Sequence, residues 1–355
     1  MASNSSLKGD ILLIFAATSA PAGWIEETRV RFPGLEIRWE CSIADDGSLR
    51  KAEDLPTEVW DGVTMLSTYA PPPARLIPNV RFVQLTSAGS DMWRKHEKYL
   101  DKNVVFCVAS GAQPPQIAEW VIGTWLASSH HLLRYANFMN KSHWDLHYLH
   151  DVEDSAGLRM GILGYGAIGR QVARIARAIG MEVYAFTQSE RPTAESRRDD
   201  TYSIPGMGDS EGCIPSKWFH GTSRAAVNDF LKQDLDVLVI SLPLTDSTHH
   251  LIDREQFEIL GKKKAFLSNI ARGPVVNTEA LIEALEKGEL RGAALDVTDP
   301  EPLPREHPLW KAPNVLITPH VSWLSTKYWG RVMEILSLNL EAIATEGKLV
   351  NPVRR

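Results

Sequence analysis

The sequence predicts an α/β protein of two lobes, the second of them a doubly wound parallel sheet. Strand-length apolar runs alternate with helix-length amphipathic segments, once through the first hundred or so residues and again from Leu158. A glycine-rich turn directly follows the first strand of the second series. The chain has 355 residues, more than one core usually supports, so two domains with a cleft are expected.

In the first lobe, strands are expected over residues 11–15, 36–40, 63–67 and 82–85. A long helical pattern over 116–134, with Ile117, Val121, Trp125 and Leu132 near helical spacing, is expected to lead out of it. Strands of the second series are expected over 160–163, 182–186, 237–241, 265–269, 292–296 and 315–318. Residues 189–216 abandon the pattern for charged residues, glycine and proline, and so predict an exposed insertion. A final helix over 326–345 carries Val332, Ile335, Leu336, Leu340 and Ile343 on one face, and the extended tail at 349–352 is expected to return to the first lobe. The expected substrate domain is 1–116 with 320–355, and the dinucleotide domain is 117–319.

Composition removes several function classes. A formal net charge of -6 offers no basic surface for nucleic acid. The longest apolar run, residues 11–17, falls short of the roughly 18 to 20 needed to span a bilayer, so no membrane role is expected. An export leader is not expected either, because Lys8 is the one basic residue ahead of that run and Asp10 offsets it. The three cysteines, Cys41, Cys107 and Cys213, lack C-x-x-C spacing and predict neither a disulfide framework nor a zinc site, which fits the cytoplasm.

The segment MGILGYGAIGR at 160–170 places Gly164, Gly166 and Gly169 after an apolar strand and at the mouth of a helix. The helix is expected over 170–178, after Ala167 and Ile168 of the turn; one glycine permits the tight turn, one lets the backbone approach a pyrophosphate, and one allows close helix–strand packing. Thr187 ends the next strand, where a carboxylate would accept from a ribose 2′-hydroxyl; with none there and Arg191 nearby, NADP is preferred and NAD possible.

Other candidates follow the later strands, where a parallel sheet places its ligand. They are Leu242, Pro243 and Thr248; Ile270, Ala271 and Arg272; Asp296 and Glu301; and His320 after Pro319.

With these residues in view, the chain resembles the D-isomer-specific 2-hydroxyacid dehydrogenases of the glyoxylate and hydroxypyruvate reductase type or the fungal 2-ketoacid reductases. The motifs are GYGAIGR, SNIARGPVVNTEALIEAL from Ser268, GAALDVTDPEPL from Gly292 and TPHVSW from Thr318, and the similarity runs over nearly the whole chain. The resemblance implies a Rossmann cofactor domain and a smaller flavodoxin-like α/β substrate domain, with reduction of a 2-keto acid to a D-2-hydroxy acid. It implies that Arg272 grips the substrate carboxylate and carbonyl, that His320 is the acid and base, that Glu301 pairs with His320, and that Asp296 holds the nicotinamide amide. Ser87, Ala88 and Gly89 resemble the loop whose N–H groups bind the substrate carboxylate, and a homodimer through the cofactor domain is also implied.

Physical chemistry agrees with those roles. Ketone reduction puts negative charge on oxygen, which an imidazolium can neutralise by donating a proton, and a carboxylate such as Glu301 favours the charged imidazole. The Arg272 fork can orient a carboxylate through two parallel bonds. Trp93, Trp144 and Trp323 are candidates to wall the substrate cleft, Trp323 foremost. His143, His147 and His150 recur at helical spacing beside Asp145 and Asp151, but the chemistry requires no metal and a polar helix face is expected. Two rivals stand: a dinucleotide-sensing corepressor, which shares this fold and triad, and a formate dehydrogenase, which carries glutamine where Glu301 stands.

Overall fold

A computed structural model describes residues 7–44, 46–144 and 152–355. The chain forms two compact units, Met1–Ala112 with Ser325–Arg355, and Gln113–Leu324.

Among the described residues, the first unit holds a five-stranded parallel sheet in the order β2-β1-β3-β4-β5. The strands are β1 (Ile11–Ala16), β2 (Glu36–Cys41), β3 (Met65–Thr68), β4 (Phe82–Leu85) and β5 (Val105–Cys107). This is the flavodoxin-like order. Strands β3 and β4 are buried at every position, as parallel strands covered on both faces must be. Helices α1 (Trp24–Arg31) and α2 (Glu97–Leu100) belong to this unit, as does the C-terminal helix Tyr328–Ala344. The tail does return to this sheet: Pro352 bridges Cys107, the Val353 N–H donates to Phe106, and Asn339 Nδ2 donates to Gln84 Oε1 at 2.7 Å. Strand β5 escapes sequence reading because three residues carry no periodicity.

The second unit is Rossmann-type. Its helices and strands run α3 (Pro114–Ser129), α4 (Leu132–Asn140), β6 (Arg159–Leu163), α5 (Ala167–Ala178), β7 (Glu182–Thr187), α6 (Ala194–Arg197) and β8 (Lys217–His220). Then follow α7 (Arg224–Leu231), β9 (Val237–Ile240), α8 (Arg254–Gly261), β10 (Phe266–Asn269), α9 (Thr278–Glu286), β11 (Gly292–Leu295) and β12 (Val315–Ile317). Among the described residues the seven strands are parallel, in the order β12-β11-β10-β9-β6-β7-β8. The strand order reverses between β6 and β9, the switch point where such sheets bind ligands.

Side-chain alternation explains why this sheet is covered on both faces. Ile162, Val237 and Val239 join a core with Trp125 and Val172, whereas their neighbours Leu163, Leu238 and Ile240 join another with Phe230 and Leu281. Each fully buried aliphatic side chain contributes about 1.5–3 kcal/mol.

Several expectations change. The helix expected over 116–134 is two helices, because His131 adopts a left-handed φ of 54° and breaks the run between α3 and α4. Strand β8 was not expected: it is a half-exposed edge of four residues directly after the segment read as irregular. The 189–216 segment is not a simple exposed insertion, since Asp209 within it is 6% exposed and bonded to the Tyr165 hydroxyl. The units divide at 112/113 and 324/325 rather than 116/117 and 319/320, since the start of α3 packs with the second unit and residues 320–322 are tied to Asp296. Among the described residues no helix is long and apolar enough to cross a membrane, and no group of three His, Cys, Asp or Glu could hold a metal. Of the histidine cluster, His147 and His150, with Asp145 and Asp151, lie outside the described residues.

Candidate active site

The register of the second sheet aligns the strand ends. Leu163, Ile240, Asn269, Leu295 and Ile317 form one row across β6, β9, β10, β11 and β12, so the residues that follow them emerge along a single edge. Every second-unit candidate taken from the sequence, except Trp144 and, beyond β7, Thr187 and Arg191, follows one of these five strands.

The glycine turn follows β6. Gly164 has φ of 106°, and a Cβ there would stand 2.8 Å from the Ser241 carbonyl oxygen. A Cβ on Gly169 would stand 2.5 Å from the Gly164 carbonyl oxygen, so both positions exclude side chains for reasons internal to the protein. Gly166 differs, because a Cβ there would meet nothing within 4 Å. This cradle, at the N-terminus of α5, lacks a side-chain cap and leaves the first-turn N–H groups of Ala167 and Ile168 for an anion. The residues thus fit a dinucleotide pyrophosphate. Ser241, overlooked in the sequence, donates to the Gly164 carbonyl at 2.6 Å and fixes the turn from the neighbouring strand.

At the end of β7, Thr187 Oγ1 donates to the Ser189 carbonyl at 2.8 Å, and Arg191 Nη1 donates to the Ser196 carbonyl. Arg191 therefore folds back on its own segment through that nitrogen. After β9, Thr248 closes a small loop that starts at Leu242 and Pro243: its hydroxyl donates to the Pro243 carbonyl at 2.8 Å and accepts from the Thr245 N–H at 2.7 Å.

Arg272 stands on a turn organised by buried Asn269, whose Oδ1 accepts from the Ala271 N–H and whose Nδ2 donates to the Arg272 carbonyl, each at 3.1 Å. Ile270 and Ala271 are buried beneath this turn, and Arg272 Nη1 donates to the Ala271 carbonyl at 2.7 Å. A Cβ on Gly273 would collide with the Thr298 carbonyl, which shows how closely the turns after β10 and β11 pack.

His320 adopts a left-handed φ of 55°, a conformation costly for a residue with a Cβ. Its N–H donates to the Asp296 carbonyl at 2.8 Å. Its Nδ1 meets Glu301 Oε1 at 2.8 Å, which holds the ring and leaves Nε2 for another partner. Both side chains are partly open to solvent. Glu301 lies between two cis peptides, Asp299–Pro300 and Glu301–Pro302.

Asp296 is tied into the protein. It is 2% exposed, and its Oδ1 accepts from the Thr318 hydroxyl at 2.6 Å and the Val321 N–H at 2.8 Å, while Oδ2 accepts from the Ser322 N–H at 3.0 Å and hydroxyl at 2.5 Å. Through these four bonds Asp296 fixes the loop bearing His320. Thr318 and Ser322 were missed, since nothing local in the sequence ties them to a residue more than twenty positions earlier. Trp323 serves the same loop, donating from Nε1 to the His320 carbonyl at 2.9 Å and packing partly on the core. Trp93 is no cleft wall: it is 1% exposed, edge-on to Phe106, in the core of the first unit. Trp144 is exposed.

In the first unit, the loop after β4 is held by Ser87 Oγ donating to the Gly89 carbonyl at 2.7 Å and by the Ala109 N–H donating to the Ser87 carbonyl at 2.8 Å. Ala88 is exposed between them.

Residues 122–205 and 215–322 match the family model of the D-isomer specific 2-hydroxyacid dehydrogenase NAD binding domain. The chain is 30% identical to a glyoxylate reductase of Thermofilum pendens, over 75% of this chain and 72% of that protein. It is 27% identical to a hydroxypyruvate reductase of Blautia hydrogenotrophica, over 91% and 94%. The crystal structure of a D-isomer specific 2-hydroxyacid dehydrogenase from Xanthobacter autotrophicus, in complex with NADPH and MES, superposes with a TM-score of 0.73 at 26% identity, covering 98% of each chain.

Proposed function

The chain belongs to the D-isomer specific 2-hydroxyacid dehydrogenase family, and from that premise we propose that it reduces a 2-keto acid, such as glyoxylate, hydroxypyruvate or a bulkier one, to the D-2-hydroxy acid with NADPH. The observation that carries this reading is the His320–Glu301 pair and Arg272 emerging from the same sheet edge as the glycine turn. Gly164, Gly166, Ala167, Ile168 and Gly169 would hold the pyrophosphate; Thr187 and Arg191 would face the adenosine; Leu242, Pro243, Thr248, Ile270 and Ala271 would line the path to the nicotinamide. When bound, the reduced nicotinamide supplies the hydride that C2 takes up.

The protein's own groups do the rest. Arg272 orients the carboxylate by two parallel bonds, and within the first unit the Ser87–Ala88–Gly89 loop offers backbone donors of its own for a carboxylate. His320 Nε2 gives its proton to the carbonyl oxygen as charge develops there, while Glu301 on Nδ1 holds the ring in position and stabilises its charged form. NADPH is proposed ahead of NADH because Thr187 places no carboxylate against a 2′-phosphate. A homodimer completes the proposal: α4 buries no residue and exposes Leu132, Leu133, Tyr135 and Met139, an apolar face suited to a second copy.

The test is a panel of 2-keto acids assayed with both reduced cofactors, followed by chiral analysis of the product. Oxidation of NADPH with at least one acid, giving the D-isomer, is expected. Failure of every acid with both cofactors rejects the reading.

A further inference from the structure

Apart from Arg191, the 189–216 segment has no part in the chemistry above, yet it is wired to the glycine turn and its helix. Tyr165 is the residue between the first two glycines, and its side chain is 4% exposed with its hydroxyl donating to Asp209 Oδ2 at 2.8 Å. Burial, and after it the Asp209 carboxylate, push the Tyr165 phenol well above its ordinary range, so the hydroxyl remains a donor. Asp209 is itself fixed: Oδ1 accepts from the Cys213 N–H at 3.0 Å and Oδ2 from the Ile214 N–H at 3.1 Å. Three residues of α5 hold the same segment. Arg170 pairs with Asp199 at 3.2 Å and donates to the carbonyls of Asp209 and Arg197. Gln171 Oε1 accepts from the Gly208 N–H at 2.6 Å, and Arg174 donates to the Gly208 carbonyl at 3.1 Å.

We propose that the 189–216 segment is a brace that holds the glycine turn in its ligand-ready shape, with Asp209 and Tyr165 as positioning residues for the dinucleotide pyrophosphate. This rests on the reading of the turn as a dinucleotide site. The physical ground is preorganisation: Ser241 and the Phe186 carbonyl hold the turn on its strand side, Gly164 and Gly166 bring no side chain to hold it elsewhere, and the Tyr165 side chain moors it to a buried carboxylate. A turn released from that mooring must be ordered when the ligand arrives, and affinity falls by the cost of ordering it. The chemistry at Arg272 and His320 is untouched, so the loss belongs to cofactor binding alone.

The experiment measures NADPH binding by fluorescence titration, and steady-state kinetics, for Tyr165→Phe, Asp209→Asn and the double variant. Each single change is expected to raise the NADPH Kd by about ten-fold, with kcat at saturating NADPH and the keto-acid KM within about two-fold of wild type. The double variant is expected to be no worse than the weaker-binding single one, because both cut the same bond. Gln171→Ala, which frees the Gly208 N–H while leaving Asp209 in place, is expected to act in the same direction more weakly, and it decides the matter alongside Tyr165→Phe should Asp209→Asn not fold. Single variants that bind NADPH like wild type, or that lose kcat instead of affinity, or that add fully in the double, overturn the brace while leaving the dinucleotide reading standing. Wild-type protein that binds neither NADPH nor NADH overturns both.

Discussion

The glycine turn after β6 and the histidine loop after β12 end two strands of one parallel sheet, yet they are fixed by opposite means. The turn is shaped by missing atoms: at Gly164 and Gly169 the surrounding backbone leaves no room for a Cβ. The loop is shaped by added ones, since Asp296 draws Thr318, Val321 and Ser322 onto a single buried carboxylate and so sustains the left-handed backbone of His320. One site fails when atoms are inserted, the other when an acceptor is removed. The difference follows from the ligand each is proposed to meet: an anion approaches the turn through open space, whereas a proton donor has to be aimed.

Substitutions can break or sharpen this contrast. The largest effect is expected from His320→Asn, which keeps the loop's backbone bonds but removes the proton donor; kcat should fall by about 10²- to 10⁴-fold with NADPH affinity retained. A variant that retains more than a tenth of wild-type kcat would falsify the role given to His320. Next comes Gly164→Ala, which combines a strained φ with a backbone collision. It should cost about 2–4 kcal/mol of stability, read from denaturant unfolding, and abolish measurable dinucleotide binding. Asp296→Asn ranks third. An amide has one acceptor oxygen where the loop offers donors to two, so a loss of about 1–3 kcal/mol is expected, together with a kcat decrease of roughly ten-fold while NADPH Kd changes little. If NADPH Kd rises and kcat holds, Asp296 belongs to the cofactor after all. The smallest change in stability is expected from Gly166→Ala, where the new methyl meets only open space. Unfolding should shift by less than about 1 kcal/mol while NADPH binding weakens, and the comparison with Gly164→Ala separates a glycine kept for the fold from one kept for the ligand.

The two sites also differ in how legible they are. The turn's three glycines lie within six residues, and strand, turn and helix are each visible in the local pattern, so the sequence leads directly to it. Arg272, Glu301 and His320 stand out as polar residues beyond strand ends, and the structure does bring Glu301 and His320 into contact at 2.8 Å. The supports are another matter. Asn269 beneath Arg272 and Ser241 beneath Gly164 read as ordinary strand-end residues until register makes them neighbours of the turns they hold, and nothing in the sequence ties Asp296, read as a cofactor contact, to the His320 loop. The 189–216 segment was misread for a related reason: its one buried carboxylate, Asp209, carries no periodic signal, and its partner Tyr165 lies 44 positions earlier.

The sequence by itself determined the α/β class, the position of the glycine turn, the residue types able to move a proton and grip a carboxylate, and the family motifs. Those depend on short-range rules, because backbone conformation and side-chain alternation are set by residues a few positions apart. The tertiary structure alone decided strand order, the break at His131, the edge strand β8, and the assignment of Asp296 to the histidine loop. Each depends on which distant segments share a sheet edge, and a hydrogen bond is determined by distance in space, whatever the separation along the chain.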